Sequence, residues 1–345
     1  MINRIFVVIL NLSALVFWGS SSWGLAPVPG TLKWEGVIPG SFDFSSPMLT
    51  QDTVFLGSCD GSLYALNANT GRQKWSFSTG NCIYSSVGVG QEAVYLASSD
   101  GNLYALDMET GEKIWSCPTG SNYSSPLAFE GVVYVGSDNG TLYAINASSG
   151  AVNWDFMAGA GIRSSPVVEN GVVYFTADDT HAYAVDVATH QKVWSSGLGS
   201  LGTSAAVSSG RVYVGTYSDD LVALSASSGQ VLWKFKTNGF VSTPQLMNGI
   251  VVVASYDGKV YAVNGTSGMQ VWDFAANPYS FWPPAVQNGT VYALTDAGLS
   301  ALELATGELV WNCTLAGTGA SSPVADDATV YVAGADVVYG IYSGN

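Results

Sequence analysis

One residue type recurs along this chain at a nearly constant spacing. Eight tryptophans lie 39 to 41 residues apart, at Trp34, Trp75, Trp115, Trp154, Trp194, Trp233, Trp272 and Trp311. Two more lie in the first 24 residues, and only Trp282 falls out of phase in the rest of the chain. A fixed period of this length indicates repeated supersecondary units, each of which buries its faces against its neighbours.

Each phased tryptophan closes a repeated phrase, of which the segment from Ala105 to Trp115 is the clearest copy. Upstream lie a Ser-Ser-Pro-like start, a Val-Val-Tyr-Val run and an Asp-Gly turn. Alternating apolar residues bounded by Gly, Asn and Asp predict four short strands in each unit. In the third unit we expect these strands at about residues 124–128, 132–136, 141–146 and 152–157.

The two ends of the chain predict how the repeats close. The last unit stops after Tyr342 without a fourth strand, whereas Thr31–Trp34 is a spare fourth strand at the other end. Four-stranded sheets that stack radially bury their faces and leave little exposed edge. We therefore predict an all-β fold: an eight-bladed β-propeller of four-stranded antiparallel blades over residues 25–345. The N-terminal strand joins the C-terminal blade and closes the ring.

Residues 1–24 form a separate segment. Arg4 precedes the apolar run Ile5–Phe17, and small residues follow at Ser20–Ser22. This order predicts a cleaved signal peptide, and the run is short of the roughly 20 residues that span a membrane. We expect a secreted protein, extracellular or periplasmic, without a membrane span.

Charge restricts the partners. The net charge is −15, and only 11% of residues are charged, against about 25% in typical soluble domains. Phosphate binding needs clustered Lys and Arg, so nucleic acid is not an expected partner. We expect a monomer that stays soluble through its acidic surface.

The repeated phrase Ala-x-Asp-x-x-Thr-Gly-x-x-x-Trp resembles the tryptophan-docking motif of the PQQ-like (pyrroloquinoline quinone) repeat family, over essentially the whole mature chain. The resemblance implies that the eight phased tryptophans are structural docking residues between blades. The family includes quinoprotein alcohol dehydrogenases, and also eight-bladed outer-membrane assembly propellers that bind no quinone. The fold therefore leaves the function open.

Similarity to the quinoprotein enzymes implies adjacent cysteines, a cation held by carboxylates, and long insertions over the quinone. The four cysteines, Cys59, Cys82, Cys117 and Cys313, are never adjacent, and the even repeat spacing leaves no room for insertions. We predict no catalytic residue, no metal and no cofactor. A small dehydrogenase that uses PQQ with calcium remains the alternative.

Histidine and aspartate offer little further chemistry. His190 replaces the turn glycine of the repeat, which indicates a turn variant. His181 lies near the expected ligand face, where an acid, base or metal-ligand role is the minority interpretation. Aspartates recur at one turn, at Asp60, Asp100, Asp179, Asp257 and Asp296. Turn geometry explains this column, and paired catalytic carboxylates are the weaker alternative.

Two cysteines are candidates for a disulfide. Cys59 is expected in the turn between the second and third strands, and Cys82 in the loop that leads to the next blade on the same face. Export permits disulfides, and bridging needs Cα atoms within about 7 Å. Cys117 and Cys313 belong to outer strands of different blades and are not expected to pair.

One column of residues is not explained by the repeat. It immediately precedes each inner strand, and it comprises Phe44, Tyr84, Tyr123, Arg163, Thr203, Val241, Phe281 and Ala320. Trp282 follows Phe281 where other blades have Ser. The aromatic members either plug a wide channel or, together with Arg163, form a shallow pocket for a sugar, a peptide segment or a small planar acid. For a pocket we expect Phe44, Tyr84, Tyr123, Arg163, Phe281 and Trp282 to converge, with Arg163 free of any carboxylate partner.

The leading functional hypothesis is an exported, non-enzymatic propeller that binds or scaffolds an envelope or extracellular protein or glycan. The quinone-dependent dehydrogenase is the alternative. A purely structural repeat protein of a cell envelope is a third hypothesis that the sequence leaves open.

Overall fold

The structure is a computed structural model that describes residues 27–38, 45–276, 282–295, 298–315, 321–334 and 336–344. The predicted leader, Phe44, Phe281, Ala320 and Asp296 lie outside the described residues. The described part of the chain forms eight separate four-stranded antiparallel sheets. The predicted all-β, eight-bladed propeller is thereby confirmed.

The first four blades follow the chain order. Blade 1 contains β2 (Met48–Leu49), β3 (Thr53–Gly57), β4 (Ser62–Asn67) and β5 (Gln73–Ser78). Blade 2 contains β6 (Gly88–Val89), β7 (Ala93–Ala97), β8 (Asn102–Asp107) and β9 (Lys113–Pro118). Blade 3 contains β10 (Leu127–Phe129), β11 (Val132–Gly136), β12 (Thr141–Asn146) and β13 (Val152–Met157). Blade 4 contains β14 (Val167–Glu169), β15 (Val172–Thr176), β16 (His181–Asp186) and β17 (Lys192–Gly197).

The remaining blades repeat this order. Blade 5 contains β18 (Ala206–Ser208), β19 (Arg211–Gly215), β20 (Asp220–Ser225) and β21 (Val231–Lys236). Blade 6 contains β22 (Gln245–Met247), β23 (Ile250–Ser255), β24 (Lys259–Asn264) and β25 (Gln270–Ala275). Blade 7 contains β26 (Ala285–Gln287), β27 (Thr290–Thr295), β28 (Gly298–Glu303) and β29 (Leu309–Cys313). Blade 8 joins β30 (Val324–Ala325), β31 (Thr329–Ala333) and β32 (Val337–Tyr342) to β1 (Leu32–Val37).

Blade 8 is closed by the two ends of the chain. Strand β1 pairs antiparallel with β32, and Trp34 lies opposite Gly340. The N-terminal strand therefore supplies the outer strand that the last repeat lacks, as the sequence predicts. Hydrogen bonding between the chain ends replaces two exposed sheet edges with one complete blade.

The hydrophobic core lies between blades. One cluster joins Tyr95 and Trp115 of blade 2 to Val133 and Val135 of blade 3. Trp115 lies opposite Ala105 in its own sheet, where the register shifts by a β-bulge. The small alanine leaves room for the indole to reach the next blade, where Trp115 Nε1 donates to the Ala147 carbonyl oxygen at 3.0 Å.

The recurrent aspartates between second and third strands serve turn geometry. The Asp100 carboxylate accepts hydrogen bonds from the Asn102 backbone N–H at 3.0 Å and from the Gly80 N–H of the preceding loop at 2.9 Å. It also accepts the Tyr104 hydroxyl at 2.8 Å, and burial together with this carboxylate raises the pKa of Tyr104 to about 12. Asp179 and Asp257 likewise accept a backbone N–H from the preceding loop, at 2.9 and 3.0 Å, so these three aspartates tie their turns to the neighbouring blade.

No described segment forms a helix with the length and hydropathy that a transmembrane span requires.

Candidate functional site

A cavity of about 850 Å³ lies on the propeller axis, and its lining includes residues of all eight blades. Five of the residues singled out from the sequence line it, namely Tyr84, Tyr123, Arg163, Thr203 and Trp282. Phe44 and Phe281 lie outside the described residues. Val241 of the same column is fully buried instead, and it pairs with Ser255 in a β-bridge.

The floor of the cavity is a ring of hydroxyl groups. The backbone N–H of Ser46 donates to Ser86 Oγ at 3.1 Å, and that of Ser86 donates to Ser125 Oγ at 3.0 Å. The same step continues through Ser165, Ser204 and Thr243 at 2.8 to 3.2 Å. Each hydroxyl accepts from the preceding blade, so the ring ties the inner strands of six consecutive blades together.

The ring of hydroxyls is interrupted at blade 7. Pro283 occupies the position that carries a Ser or Thr in the other blades, and it has neither a hydroxyl nor an N–H. Trp282 precedes it and also lines the cavity, beside Pro284. The cavity is therefore asymmetric, with a polar hydroxyl arc on one side and an apolar Trp-Pro-Pro segment on the other.

Three planar groups, the side chains of Tyr84, Tyr123 and Arg163, form a stack at the open end of the cavity, which we call the channel mouth. The Tyr84 and Tyr123 rings are stacked, with centroids 4.8 Å apart and an interplanar angle of 14°. The Arg163 guanidinium lies 5.5 Å from the Tyr123 ring centroid. Tyr123 is 41% exposed. Stacked aromatic and guanidinium faces of this kind provide a flat, partly apolar contact surface.

The expectation that Arg163 lacks a carboxylate partner is wrong. Its Nε lies 3.2 Å from Asp138 Oδ1 and 3.5 Å from Asp178 Oδ2. The hydrogen bond from Arg163 to Asp138, together with the charge of Asp178, raises the pKa of Arg163 further. With one cation between two carboxylates, the mouth carries local negative charge, and this disfavours the planar acid that the sequence left open as a ligand.

Sequence reasoning missed a second column of residues around the mouth. It lies one position before the turn position that most blades fill with Asp, and it includes Cys59, Ser99, Asp138, Asp178, Tyr217 and Tyr256. The backbone N–H of Asp178 donates to Gly161 O, and that of Tyr217 donates to Ser200 O, so this column packs against the loops that lead into each blade. The sequence signal for this column was its variability from blade to blade, beside a turn position that is Asp in most blades.

Tyr217 extends the aromatic wall on the far side of Arg163. It lines the cavity, and its ring centroid lies 5.2 Å from that of Phe240, which in turn lies 5.7 Å from Tyr256. Burial raises the pKa of Tyr217, and the nearby Asp178 charge adds to the effect. The mouth is thus bordered by an arc of aromatic rings with the Arg163 carboxylate pair in its centre.

Cys59 and Cys82 meet at the other end of this arc. Cys82 Sγ donates to the Cys59 carbonyl oxygen at 3.2 Å, and contacts with the side chains of Cys82 and Cys59 raise the pKa of Tyr84. The two side chains are therefore neighbours. The predicted disulfide stays a prediction, and peptide mapping of the protein without reductant tests it: recovery of Cys59 and Cys82 in separate peptides would contradict it.

Hydrolytic or metal chemistry finds little support here. Among the described residues, no group of three or more His, Cys, Asp and Glu side chains is arranged to hold a metal ion. His181 does not line the cavity; its Nδ1 lies 2.9 Å from the Asp179 carbonyl oxygen. Five of the lining hydroxyls, those of Ser86, Ser125, Ser165, Ser204 and Thr243, accept hydrogen bonds from backbone N–H groups.

The lining does not fit pyrroloquinoline quinone. This cofactor carries several carboxylates, which need cations, and the only lysine or arginine among the described residues that line the cavity is Arg163. That guanidinium is already held by Asp138 and Asp178. We therefore derive no redox step at this site.

Comparison with known proteins agrees with the fold. The chain matches the family model described as outer membrane protein assembly factor BamB, over residues 23–127, 119–200, 181–281 and 260–343. No curated protein matches the chain. The computationally designed Ika8 protein has a similar structure, with a TM-score of 0.80 and 18% identity over 89% of this chain and 98% of that chain.

A second similar structure is BamB from Moraxella catarrhalis. Its TM-score is 0.64 and its identity 22%, over 78% of this chain and 82% of that chain. At these identities the two structures support the fold, and the family match supports the kind of repeat.

Proposed function

Because this chain belongs to the PQQ-like repeat family described as outer membrane protein assembly factor BamB, we propose that it is a non-enzymatic scaffold that binds a partner protein at its channel mouth. A glycan is the alternative partner. The observation that carries the proposal is the partly exposed Tyr84–Tyr123–Arg163 stack beside a cavity of about 850 Å³. Aromatic and arginine side chains are enriched where proteins bind each other.

The local charge favours a particular partner surface. Arg163 is paired with Asp138 and Asp178, and the protein carries a net charge of −15. A partner that presents apolar groups flanked by Lys or Arg matches the aromatic wall and the surrounding carboxylates. We expect the interaction to weaken as salt concentration rises, because exposed charges are screened.

Capture of the partner by the immobilised mature chain, from the envelope or secreted fraction of the same cells, tests the proposal. Tyr123→Ala and Arg163→Ala are expected to weaken capture. The Arg163 variant is expected to lose less than about 1 kcal/mol of stability, because exposed ion pairs contribute little.

Ile114→Ala is the matched control, since Ile114 is 52% exposed on the outer strand β9, away from the channel. If Ile114→Ala is the only variant that loses capture, the partner binds the outer strands of the blades and not the channel mouth. If Arg163→Ala is clearly less stable and captures normally, Arg163 is a structural plug and the channel mouth is not the binding site.

Export completes the proposal. The order of Arg4, an apolar run and small residues in the first 24 positions is that of a cleaved signal peptide. Mass spectrometry of the protein from fractionated cells measures its compartment and its first residue. A cytoplasmic protein that retains Arg4 contradicts export without affecting the channel-mouth proposal.

A further inference from the structure

We call the interface between two adjacent blades a seam. The seam between blades 3 and 4 differs from the others in the residue that packs against its phased tryptophan. At the seam between blades 2 and 3, Gly150 lies under the Trp115 indole, and a Cβ on Gly150 would lie 2.7 Å from Trp115 Cδ2. The corresponding residue of blade 4 is His190, which has a φ of +60°. Its ring stacks on Trp154, with centroids 4.9 Å apart and an interplanar angle of 19°. The Trp154 indole therefore rests on a side chain instead of on bare backbone.

This exchange changes the hydrogen bonds of the seam. Each of the seven other phased tryptophans donates its Nε1–H to a carbonyl oxygen of the next blade, at 2.8 to 3.1 Å. At the seam between blades 2 and 3, the Tyr95 hydroxyl shares that acceptor, the Ala147 carbonyl oxygen, at 3.3 Å. The counterparts at the His190 seam are Trp154, Tyr134 and the Val187 carbonyl oxygen.

Among the described residues, Trp154 Nε1 and the Tyr134 hydroxyl donate to no acceptor, and no group donates to the Val187 carbonyl oxygen. All three residues line one cavity of about 590 Å³ between the two blades. The corresponding indole, hydroxyl and carbonyl groups bond to each other at the seam between blades 2 and 3. At the His190 seam they face the cavity instead. Polar groups in such a site are satisfied by water or by a ligand.

Three further polar side chains border the same cavity. Glu130, Asn153 and Asn170 line it, and within the described part of the chain none of them has a side-chain hydrogen bond or an ion pair. Burial raises the pKa of Tyr134, and the charge of Glu130 adds to the shift. The Phe129 ring, 38% exposed, completes the aromatic border together with Trp154 and His190.

We propose that this cavity, at the end of the blades opposite the channel mouth, binds a neutral saccharide residue. Each sugar hydroxyl both donates and accepts, so one ring satisfies the Trp154 and Tyr134 donors and the Val187 and Glu130 acceptors together. Amide and carboxylate side chains such as Asn153 and Asn170 fit adjacent hydroxyl pairs, and aromatic faces cover the apolar C–H surface of a sugar. An anion is disfavoured by Glu130 and by the net charge of −15.

His190→Gly provides the decisive variant. It restores the residue of the other seams, so Trp154 is expected to settle onto the backbone and donate to the Val187 carbonyl oxygen as its counterparts do. The measurement is isothermal titration calorimetry of the full mature chain with glucose, galactose, N-acetylglucosamine and their β-linked trimers. We expect a neutral saccharide to bind the wild type and to bind the variant at least tenfold more weakly, while the variant's melting temperature stays the same or rises.

Two carboxamide variants supply the comparison. Glu130→Gln removes the carboxylate in the cavity and is expected to weaken binding. Glu92→Gln changes a residue of the neighbouring groove between blades 2 and 3, where the Trp115 hydrogen bond is intact, and is expected to bind as the wild type does.

Failure of every neutral saccharide to bind overturns the proposal. Unchanged binding by His190→Gly overturns it as well, as does binding of an uncharged tripeptide at this seam in place of any sugar. None of these results bears on partner capture at the channel mouth, because that capture is measured with variants on the opposite end of the blades.

Discussion

At the scale of the residue, the seams depend on an indole that packs against backbone without a Cβ. Gly150 has a φ of +71° and lies in contact with Trp115, whereas Gly131 has a φ of +78° with nothing within 4 Å of its would-be Cβ. The two glycines thus share the left-handed conformation and differ only in the contact. Substitutions at the two positions therefore distinguish the free energy lost to an unfavourable backbone conformation from the free energy lost to a steric clash with the indole.

The first prediction compares alanine at these two positions. Gly131→Ala is expected to lose about 1 kcal/mol of unfolding free energy, because an L-residue in the left-handed region is disfavoured. Gly150→Ala is expected to lose about 2–4 kcal/mol, since its Cβ also overpacks against Trp115. Equilibrium denaturation in urea measures both, and equal losses would show that the contact with the indole costs nothing.

The second prediction concerns the phased tryptophans themselves. Trp115→Ala is expected to destabilise the protein by about 3–5 kcal/mol, because it removes a buried indole and its hydrogen bond to Ala147. Trp154→Ala is the comparison, and we expect a smaller loss, since Trp154 is partly exposed and lacks that bond. A melting temperature unaffected by Trp115→Ala would contradict the interfacial role of the whole set.

At the scale of the element, the turns between second and third strands are fixed by aspartate. Burial alone raises the pKa of Asp100, but hydrogen bonds from the Gly80 N–H, the Tyr104 hydroxyl and Asn102 outweigh it, and the net pKa lies below its usual value. The carboxylate therefore stabilises the folded state only in its ionised form. Because Gly80 belongs to the loop from blade 1, this stabilisation acts between blades as well as within one.

The third prediction follows from the sign of that shift. A carboxyl whose pKa is lower in the folded state stabilises the fold above its unfolded pKa of about 3.9, and this stabilisation is lost as pH falls through the folded pKa. The melting temperature of the wild type should fall steeply below about pH 4. In Asp100→Asn it should be lower at neutral pH and depend less on pH; identical pH profiles would contradict the role of Asp100.

At the scale of the whole molecule, the ring depends on a strand from the other end of the sequence. Strand β1 pairs with β32, and Trp34 Nε1 donates to the Ala68 carbonyl oxygen of blade 1 at 2.8 Å. Trp34 and Tyr331 of blade 8 belong to one core cluster with Val54 and Leu66 of blade 1. Blades 8 and 1 are therefore held together by a strand whose partners lie some 300 residues away in sequence.

The fourth prediction tests that closure. A chain that begins at residue 39 lacks β1 and Trp34, so its last blade has an exposed edge and the seam to blade 1 loses its indole. We expect a large fall in melting temperature and association of the chains, measured by circular dichroism and light scattering. A chain that begins at residue 27 retains β1 and is the control; if the two chains are equally stable and monomeric, β1 does not close the ring.

The sequence by itself determined the repeat and the closure. A period of about 40 residues, marked by Trp115 and its counterparts, is a local pattern that every blade restates, so the number of blades and the spare strand at Trp34 could be predicted without coordinates. The sequence also predicted that Tyr84, Tyr123 and Arg163 converge on one cavity, because residues at the same position of each repeat lie at the same height around the ring.

Only the tertiary structure decided how the side chains pair. Asp138 and Asp178 come from turns of two adjacent blades and both contact Arg163 at the mouth, which no spacing along the chain indicates. His190 is a single-residue departure from the repeat, where other blades have Gly. Its effect appears in the neighbouring blade, where the Trp154 indole stacks on the His190 ring and does not donate to the Val187 carbonyl oxygen. Both contacts form between repeats, and their geometry depends on how blades pack rather than on the pattern within one.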